Sequence, residues 1–254
     1  FSASKIRAAW PIHIKVDTGM HRLGFRPDAT DELLRIASDE RVDVQTVFSH
    51  LASADRPDQD ASTHAQLARF QAVVDLLRAQ KPTIKSHILN TAGMLRFPES
   101  SGDFVRIGIG LLGILPTEGI PLDLQPVVQF ETLVSSLLTV PANEGVGYGM
   151  EGAAPHERTL ATLPVGYADG FPRNLSNGRG RVIIHGQSVP VVGKVCMDMV
   201  MVDVTSVSEI RVGDRVELFG LHQRIESFAE SAETIPYEIL TRIPGRVSRQ
   251  QRGN

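Results

Sequence analysis

The sequence is poor in the features that mark several classes of protein. It has one cysteine, Cys196, in 254 residues, so no disulfide can form within the chain and a reducing cytoplasm is expected. No apolar run approaches the roughly 20 residues that span a membrane. The net charge of −3 lacks the positive excess that attracts nucleic acid. We therefore expect neither a membrane nor a nucleic acid as a partner.

Two compositional halves follow each other along the chain. Up to about Pro116, strand-like runs alternate with helical patterns, which is typical of βαβ units with a parallel sheet. Strands are expected at 12–17, 42–50 and 84–90, and 103–113 should hold the fourth strand and its following turn. Helices are expected after residue 27, at 61–80 and at 91–95. The second half predicts mostly antiparallel strands, at 127–140, 158–166, 181–195, 198–205 and 212–220, with one helix at 227–235. Prolines and glycines cluster between the halves, so we predict domains at 1–120 and 121–254.

The size of the first half limits its architecture. A (β/α)₈ barrel needs about 250 residues, and one βαβ unit takes roughly 30. The first half therefore has room for about half a barrel, which would leave open sheet edges. It is either a smaller α/β sheet or part of a longer chain, and the start at Phe1 instead of a methionine favours the second interpretation.

Polar residues stand at the end of each predicted strand of the first half. They are Lys15 and Asp17, Ser49 and His50, Asn90 and Thr91, and finally Arg106 ahead of Gly108 and Gly110. The carboxyl ends of parallel strands face the active site in α/β folds. A single polar residue there is more often a strand-end cap, but four consecutive ones favour one shared pocket. Arg22, in the turn after the first strand, could bind a carboxylate through two parallel hydrogen bonds.

The run GYADGFPR, residues 166–173, places one tyrosine between glycines. Gly166 and Gly170 allow backbone conformations and close approaches that other residues do not, and Pro172 stiffens the exit. Such a turn can hold the Tyr167 phenol at a defined point, where it could exchange a proton. Taken alone, the run is more often a tight turn with a packed tyrosine.

Several runs together resemble the alanine racemases. KVDTGMHRLG at 15–24, GYADGFPR, VCMD at 195–198 and IPYE at 235–238 match that family's blocks in order, and the similarity extends from about residue 12 to 249. The resemblance implies an enzyme that depends on pyridoxal 5′-phosphate (PLP) and interconverts L- and D-alanine with two bases. It also implies a head-to-tail homodimer with shared active sites. The fold class would be α/β plus all-β, with the C-terminal part of a (β/α)₈ barrel followed by a β-rich domain.

The resemblance also implies roles for individual residues. Tyr167 would remove the α-proton of L-alanine in the partner's barrel, Arg106 would face the pyridine nitrogen of PLP, and His50 would connect the two. Arg22 would bind the substrate carboxylate with Lys15 orienting it, a lysine that some members carry in carbamylated form. The remaining contacts would be Met197 to substrate through its backbone and, to the cofactor, Asn90, Thr91, Gly108, Ile109 and Tyr237. No metal is implied.

The chain departs from the family at one decisive place. The second base of the family is a lysine that also holds PLP covalently, in a run resembling AVVKANAYGHG, and nothing here matches it, since Lys5 stands in SASKIRAAW. The isolated chain is therefore expected to be inactive. It is also expected to be poorly soluble, because an open barrel exposes apolar strand edges. His21, Thr91 and Leu112 replace the usual glycine, serine and tyrosine. Two alternatives stay open: a non-catalytic truncated relative that acts as a binding module, and a racemase for another small amino acid such as serine.

Overall fold

The computed structural model describes residues 9–117 and 119–251. The chain divides into two compact units, Phe1–Gln125 and Pro126–Asn254. The polar strand ends belong to the first unit, and the GYADGFPR turn belongs to the second. Over the described ranges, no helix combines the length and the apolar character needed to cross a membrane.

The first unit is built around a parallel sheet of three strands in the order β1-β2-β3. The strands are β1 (Trp10–Lys15), β2 (Val42–Phe48) and β3 (Lys85–His87), and the helices are α1 (Thr30–Ala37), α2 (Asp60–Gln80) and α3 (Thr91–Arg96). The alternation of strands and helices predicted from the sequence is confirmed for these six elements.

The long helix α2 packs its buried face into the core of the first unit. Its buried residues recur at intervals of three and four, the spacing of one helical face. They pack with Ile14 of β1 and Val47 of β2 in a common core, and fully burying each large apolar side chain contributes about 1.5–3 kcal/mol. Because side chains alternate along a strand, His13 and Lys15 lie on the opposite face of β1 from Ile14.

The strand expected at residues 103–113 does not form. The Asp103 carboxylate accepts the N–H of Ser86 at 2.7 Å, so this N–H is not available to a neighbouring strand. The N–H groups of Asp103 and Phe104 both point at the Ser86 carbonyl, at 2.9 and 3.4 Å. The run therefore lies beside β3 without regular pairing and ends in a short 3₁₀ helix, Ile109–Leu112.

The second unit is an antiparallel sheet of seven strands with two short helices. The strand order is β4-β10-β7-β8-β9-β6-β5. The elements are β4 (Phe130–Leu133), β5 (Ser136–Val140), β6 (Arg158–Leu163), β7 (Arg181–Ile184), β8 (Gln187–Val192), β9 (Val200–Asp203), β10 (Arg215–Phe219), α4 (Ile225–Ser231) and α5 (Pro236–Arg242).

Three expectations for the second unit need correction. The run at 181–195 forms two strands, β7 and β8, which pair with each other as a hairpin. The run at 127–140 forms two strands with different partners, because Ser135 turns aside and both its N–H and its hydroxyl donate to the Thr162 carbonyl, at 2.9 and 2.8 Å. A second helix, α5, follows the one expected at 227–235. Pro236 stands at its first turn, where the fixed φ of proline suits a helix start, and this signal could have revealed it.

Four phenylalanines form the aromatic centre of the second unit. Phe219 packs against Phe130 and Phe228 with ring centroids 5.7 and 5.5 Å apart, and Phe228 meets Phe171 at 5.5 Å. Phe171 is completely buried and belongs to the GYADGFPR turn. The core therefore anchors the exit of the turn that carries Tyr167.

Phe219→Ala should lower the free energy of unfolding by about 3–5 kcal/mol, because it leaves a cavity between the rings of Phe130 and Phe228. Urea denaturation followed by circular dichroism measures the change. Leu221→Ala is the matched control, since that side chain is 59% exposed and its loss should shift stability only slightly. Equal unfolding midpoints for the two variants would contradict this account of the core.

Candidate functional site

Arg106 lies at the centre of the polar strand ends. Its guanidinium donates to the carbonyl of Ser49 at 2.7 Å, to that of Ile88 at 3.1 Å and to that of His87 at 3.2 Å. These carbonyls stand at the ends of two neighbouring strands, so the side chain is held in one position. Burial lowers the pKa of Arg106, which nevertheless stays a cation at neutral pH.

Two histidines flank this guanidinium. The Nδ1 atom of His87 lies 2.5 Å from one terminal nitrogen, and the Nδ1 atom of His50 lies 3.2 Å from the other. A guanidinium has no acceptor, so both Nδ1 atoms must accept and both neutral rings carry their proton on Nε2. Burial, reinforced by the charge of Arg106, lowers the pKa of His50, and it lowers that of His87 to about 4.

His87 is a member of the site that the sequence analysis missed. It is the last residue of β3 and stacks on Phe48, with ring centroids 5.1 Å apart and planes 11° from parallel. The polar residues predicted to belong to the site follow this strand, whereas His87 lies inside it. The available signal was a histidine inside the strand-like run IKSHILN, directly before the apolar pair Ile88 and Leu89.

The loop after β1 presents Arg22. The Asp17 carboxylate accepts the N–H groups of Gly19, Met20 and His21 at 3.0, 3.0 and 2.9 Å. Burial raises the pKa of Asp17, but these backbone hydrogen bonds outweigh burial, and the pKa lies below its usual value. Arg22 itself is exposed and has no hydrogen bond or ion pair with another residue in the described part of the chain.

Lys15 reaches the same loop without bonding to Arg22. Its Nζ donates to the carbonyl of Val16 at 3.2 Å and to that of Leu23 at 3.4 Å. Burial lowers the pKa of Lys15, and the charges of Arg22 and Arg106 lower it further against the opposing effect of Asp17. Lys15 thus acts on the backbone beside Arg22.

The predicted cofactor contacts of the first unit converge on α3. Asn90 caps this helix, because its side chain accepts the Gly93 N–H at 2.9 Å. The Thr91 hydroxyl accepts the Gly108 N–H at 3.1 Å and so joins the helix to the glycine loop. A Cβ on Gly110 would stand 2.7 Å from the Thr91 methyl group, so the loop needs glycine there. Ile109 is buried in the same loop.

The turn that carries Tyr167 is packed against the backbone of the VCMD run. A Cβ on Gly166 would come within 2.4 Å of the carbonyl oxygens of Cys196 and Met197, so only glycine fits. The Tyr167 N–H donates to the Cys196 carbonyl at 3.1 Å, and the Ala168 N–H donates to that of Met197 at 2.9 Å. The Tyr167 side chain is left 43% exposed.

Asp169 closes this turn from the other side. Its carboxylate accepts the Gly166 N–H at 3.0 Å and forms an ion pair with Arg246 at 2.8 Å. Gly170 follows with a φ of +100°, a left-handed conformation that favours glycine. Tyr237 lies apart, in the first turn of α5, and is 49% exposed.

The lysines outside the strand ends have other partners. Lys81 pairs with Asp43 at 2.5 Å, Lys194 pairs with Glu151 at 2.7 Å, and Lys85 lies over the ring of Phe104. Lys5 lies outside the described residues. Among the lysines that the structure describes, Lys15 is the one at the polar strand ends.

The donor set of the strand ends suits an anionic ligand. Lys15, Arg22 and Arg106 supply cations and N–H donors, whereas the flanking histidines are held neutral. Within residues 9–117 and 119–251, no three His, Cys, Asp or Glu side chains are grouped so that they could hold a metal ion. The chemistry of these residues therefore fits a phosphorylated or carboxylated ligand.

Comparison with known proteins shows the family to which the chain belongs. Residues 2–116 match the model of the alanine racemase N-terminal domain, and residues 127–251 match that of the C-terminal domain. The alanine racemase of Halothermothrix orenii is 40% identical over 256 residues, which covers 98% of this chain and 67% of that protein. The chain belongs to the alanine racemase family.

Solved structures agree with this alanine racemase assignment. The enzyme of Streptomyces lavendulae superposes with a TM-score of 0.89 at 34% identity, covering 97% of this chain and 67% of that one. The enzyme of Bartonella henselae, solved with covalently bound pyridoxal phosphate, gives 0.82 at 36% identity, covering 93% of this chain and 65% of that one. The chain thus spans about two thirds of the length of these relatives.

These comparisons confirm several predictions. The first unit belongs to a barrel-type domain, and the second is the antiparallel C-terminal domain of the family. The enzyme class is isomerase, the cofactor is PLP and the reaction is the racemisation of alanine.

The neutral state of His87 should make stability depend on pH. Between about pH 6.5 and 4 the unfolded chain binds a proton that folded His87 does not, so the free energy of unfolding should fall as the pH falls through this window. His87→Gln keeps an acceptor for Arg106 and should flatten this part of the profile. Denaturation at a series of pH values measures this dependence, and His156→Gln at an exposed position is the control. The prediction is wrong if the free energy of unfolding changes with pH equally in both variants.

Proposed function

We propose that this chain supplies one of the two bases of an alanine racemase and the groups that bind substrate and cofactor. The observation that carries the proposal is the fixed position of Arg106 between three carbonyls and two Nδ1 acceptors. A cation held so firmly at the ends of parallel strands is suited to one defined ligand atom. The family provides that atom in the pyridine nitrogen of PLP.

The bound cofactor withdraws electrons from the substrate and so makes its α-proton acidic. Arg106 limits this withdrawal, because an arginine facing the pyridine nitrogen can only donate and so favours the unprotonated ring. Prompt return of the proton is then favoured over side reactions. The cofactor phosphate and ring would be held by Asn90, Thr91, Gly108, Ile109 and Tyr237.

Proton removal from L-alanine is assigned to Tyr167, and His50 prepares its phenol. The Nδ1 atom of His50 is occupied by Arg106, so its remaining polar group is the Nε2–H donor. A donor beside a phenolate stabilises the charged form and lowers the pKa of the tyrosine. The neutral tautomer inferred for His50 thus supports its role between Arg106 and Tyr167.

Substrate binding is assigned to Arg22. Its exposed guanidinium can bind the alanine carboxylate with two parallel hydrogen bonds. Lys15 stands beside it with a lowered pKa, and the neutral amine is the form that reacts with carbon dioxide. A carbamate on Lys15 would add an anion that orients Arg22. The Met197 carbonyl already accepts a hydrogen bond from Ala168, so its contact with substrate is assigned to its N–H.

The enzyme is proposed to work as a head-to-tail homodimer. Tyr167, Met197 and Tyr237 all belong to the second unit and are 43%, 59% and 49% exposed, as groups that complete a partner's site should be. The domain at 121–254 of one subunit would then complete the site on the domain at 1–120 of the other. We place the enzyme in the cytoplasm, in keeping with its single cysteine.

In the complete protein loaded with PLP, Tyr167→Phe should slow the removal of the α-proton from L-alanine by about 10²–10⁴-fold, because the phenol is the proton acceptor. Exchange of the α-proton with deuterated solvent, followed by NMR, measures this step. The PLP absorbance of the variant should be unchanged, which controls for loss of the cofactor. Exchange at the wild-type rate would remove Tyr167 from the mechanism.

The choice of amino acid is measured in the same assay. L-Alanine should exchange with a higher kcat/KM than L-serine. A higher value for L-serine would favour the alternative of a racemase with a different substrate.

A further inference from the structure

We propose that Gln66 and Arg69, on helix α2, are positioning residues that set the Arg22 loop (residues 17–22) against the strand end that carries His50. The inference rests on the proposed function, because it takes Arg22 and His50 as members of the site. Neither Gln66 nor Arg69 lies at a strand end, and nothing in the sequence patterns singled them out. Their hydrogen bonds inside the first unit identify them.

Gln66 is a polar side chain with only 1% of its surface exposed, on a buried helix face that is apolar from Phe70 onward. Its carbonyl oxygen accepts the Ala52 N–H at 2.9 Å. Its amide nitrogen donates to the His50 carbonyl at 3.2 Å and to the Thr18 hydroxyl at 3.4 Å. One side chain therefore holds both the His50 strand end and the Arg22 loop.

The hydroxyls of Thr18 and Ser49 continue this connection as a chain of hydrogen bonds, in which each group donates to the next. Ser49 donates its hydroxyl proton to the Val16 carbonyl at 2.7 Å, so it must accept from Thr18, 2.8 Å away. Thr18 has then used its own proton and must accept from Gln66. Thr18 and Ser49 are each 1% exposed, and the backbone carbonyl of Ser49 is one of those that hold Arg106.

Arg69 lies three residues further along α2, on the same side of the helix as Gln66. Its guanidinium donates to the Thr18 carbonyl at 2.7 Å. Gly19 has a φ of +142°, and a Cβ there would stand 3.2 Å from both the Arg69 guanidinium and the Gln66 Cγ. The loop therefore lies directly on these two side chains, with a glycine at the point of contact.

The Arg22 loop is thus held from two sides. Asp17 binds its N–H groups from within the loop, and Gln66 and Arg69 bind Thr18 from the helix. Arg22 follows this stretch and depends on its position, because its own guanidinium has no hydrogen bond to the described residues. Loss of the helix contacts should displace Arg22 relative to His50 and weaken binding of a carboxylate.

The test replaces Gln66 by methionine, which has a similar shape but no amide. In the complete protein loaded with PLP, Gln66→Met should lower kcat/KM for L-alanine about tenfold, mainly through a higher KM, because hydrogen bonds to buried groups are lost. The affinity for propanoate, the carboxylate that lacks the amino group, should fall by a similar factor. Gln71→Met is the matched control on the exposed side of the same helix, where Gln71 bonds Asp75 at 2.8 Å.

Arg69 provides a second variant at the surface, where a substitution is compatible with folding. Arg69→Met should weaken propanoate binding, and Arg69→Lys should restore part of it, because an ammonium can still donate to Thr18. Hydrogen exchange of the Gly19, Met20 and His21 amides should be faster in Gln66→Met and Arg69→Met than in the Gln71 control.

A purely structural role would lower the melting temperature and leave KM, propanoate affinity and loop exchange unchanged, and that result would overturn the proposal. Wild-type propanoate affinity in Arg69→Met would overturn it as well. Tyr167→Phe separates this inference from the function on which it rests: a strong effect there with none at Gln66 and Arg69 rejects the positioning pair alone.

Discussion

Arg106 can only donate hydrogen bonds, and the first unit is arranged to accept them. Its charge is partly removed from water, so it needs acceptors at fixed positions, and carbonyls at the ends of β2 and β3 provide them. The same constraint determines the state of two histidines, because each must present an unprotonated Nδ1. One cation thus decides the tautomers and the donors left for a ligand, and its charge adds to the lowering of both histidine pKa values that burial causes.

The groups assigned to chemistry depend on contacts that touch no ligand. Tyr167 stands on a turn whose shape comes from Gly166 lying on the backbone of Cys196 and Met197, and from Asp169 paired with Arg246. Arg22 stands on a loop held by Asp17 within it and by the helix α2 behind it. In both cases a glycine permits the close approach, and buried or charged side chains then hold it. An exposed reactive side chain can be placed accurately only when the backbone beneath it is fixed.

Much of the fold was readable from local patterns. Alternating apolar residues located β1 and β2, and helical spacing located α2, because each pattern reports the face that an element buries. The strand at 103–113 failed because one side chain, Asp103, takes the Ser86 N–H that a ladder would need, and an apolar run gives no sign of this competition. His87 was missed because the signal was sought after the strand and not within it.

The sequence by itself determined the family, the order of the elements, the polar strand ends and the glycine turn around Tyr167. These follow from residue type and spacing along a short stretch of chain. Only the tertiary structure decided which hydrogen bonds form, which histidines are neutral, and that Lys15 binds the backbone beside Arg22. Gln66 shows the reason: its three partners lie 14, 16 and 48 residues away along the chain, so its role exists only once folding has buried them together.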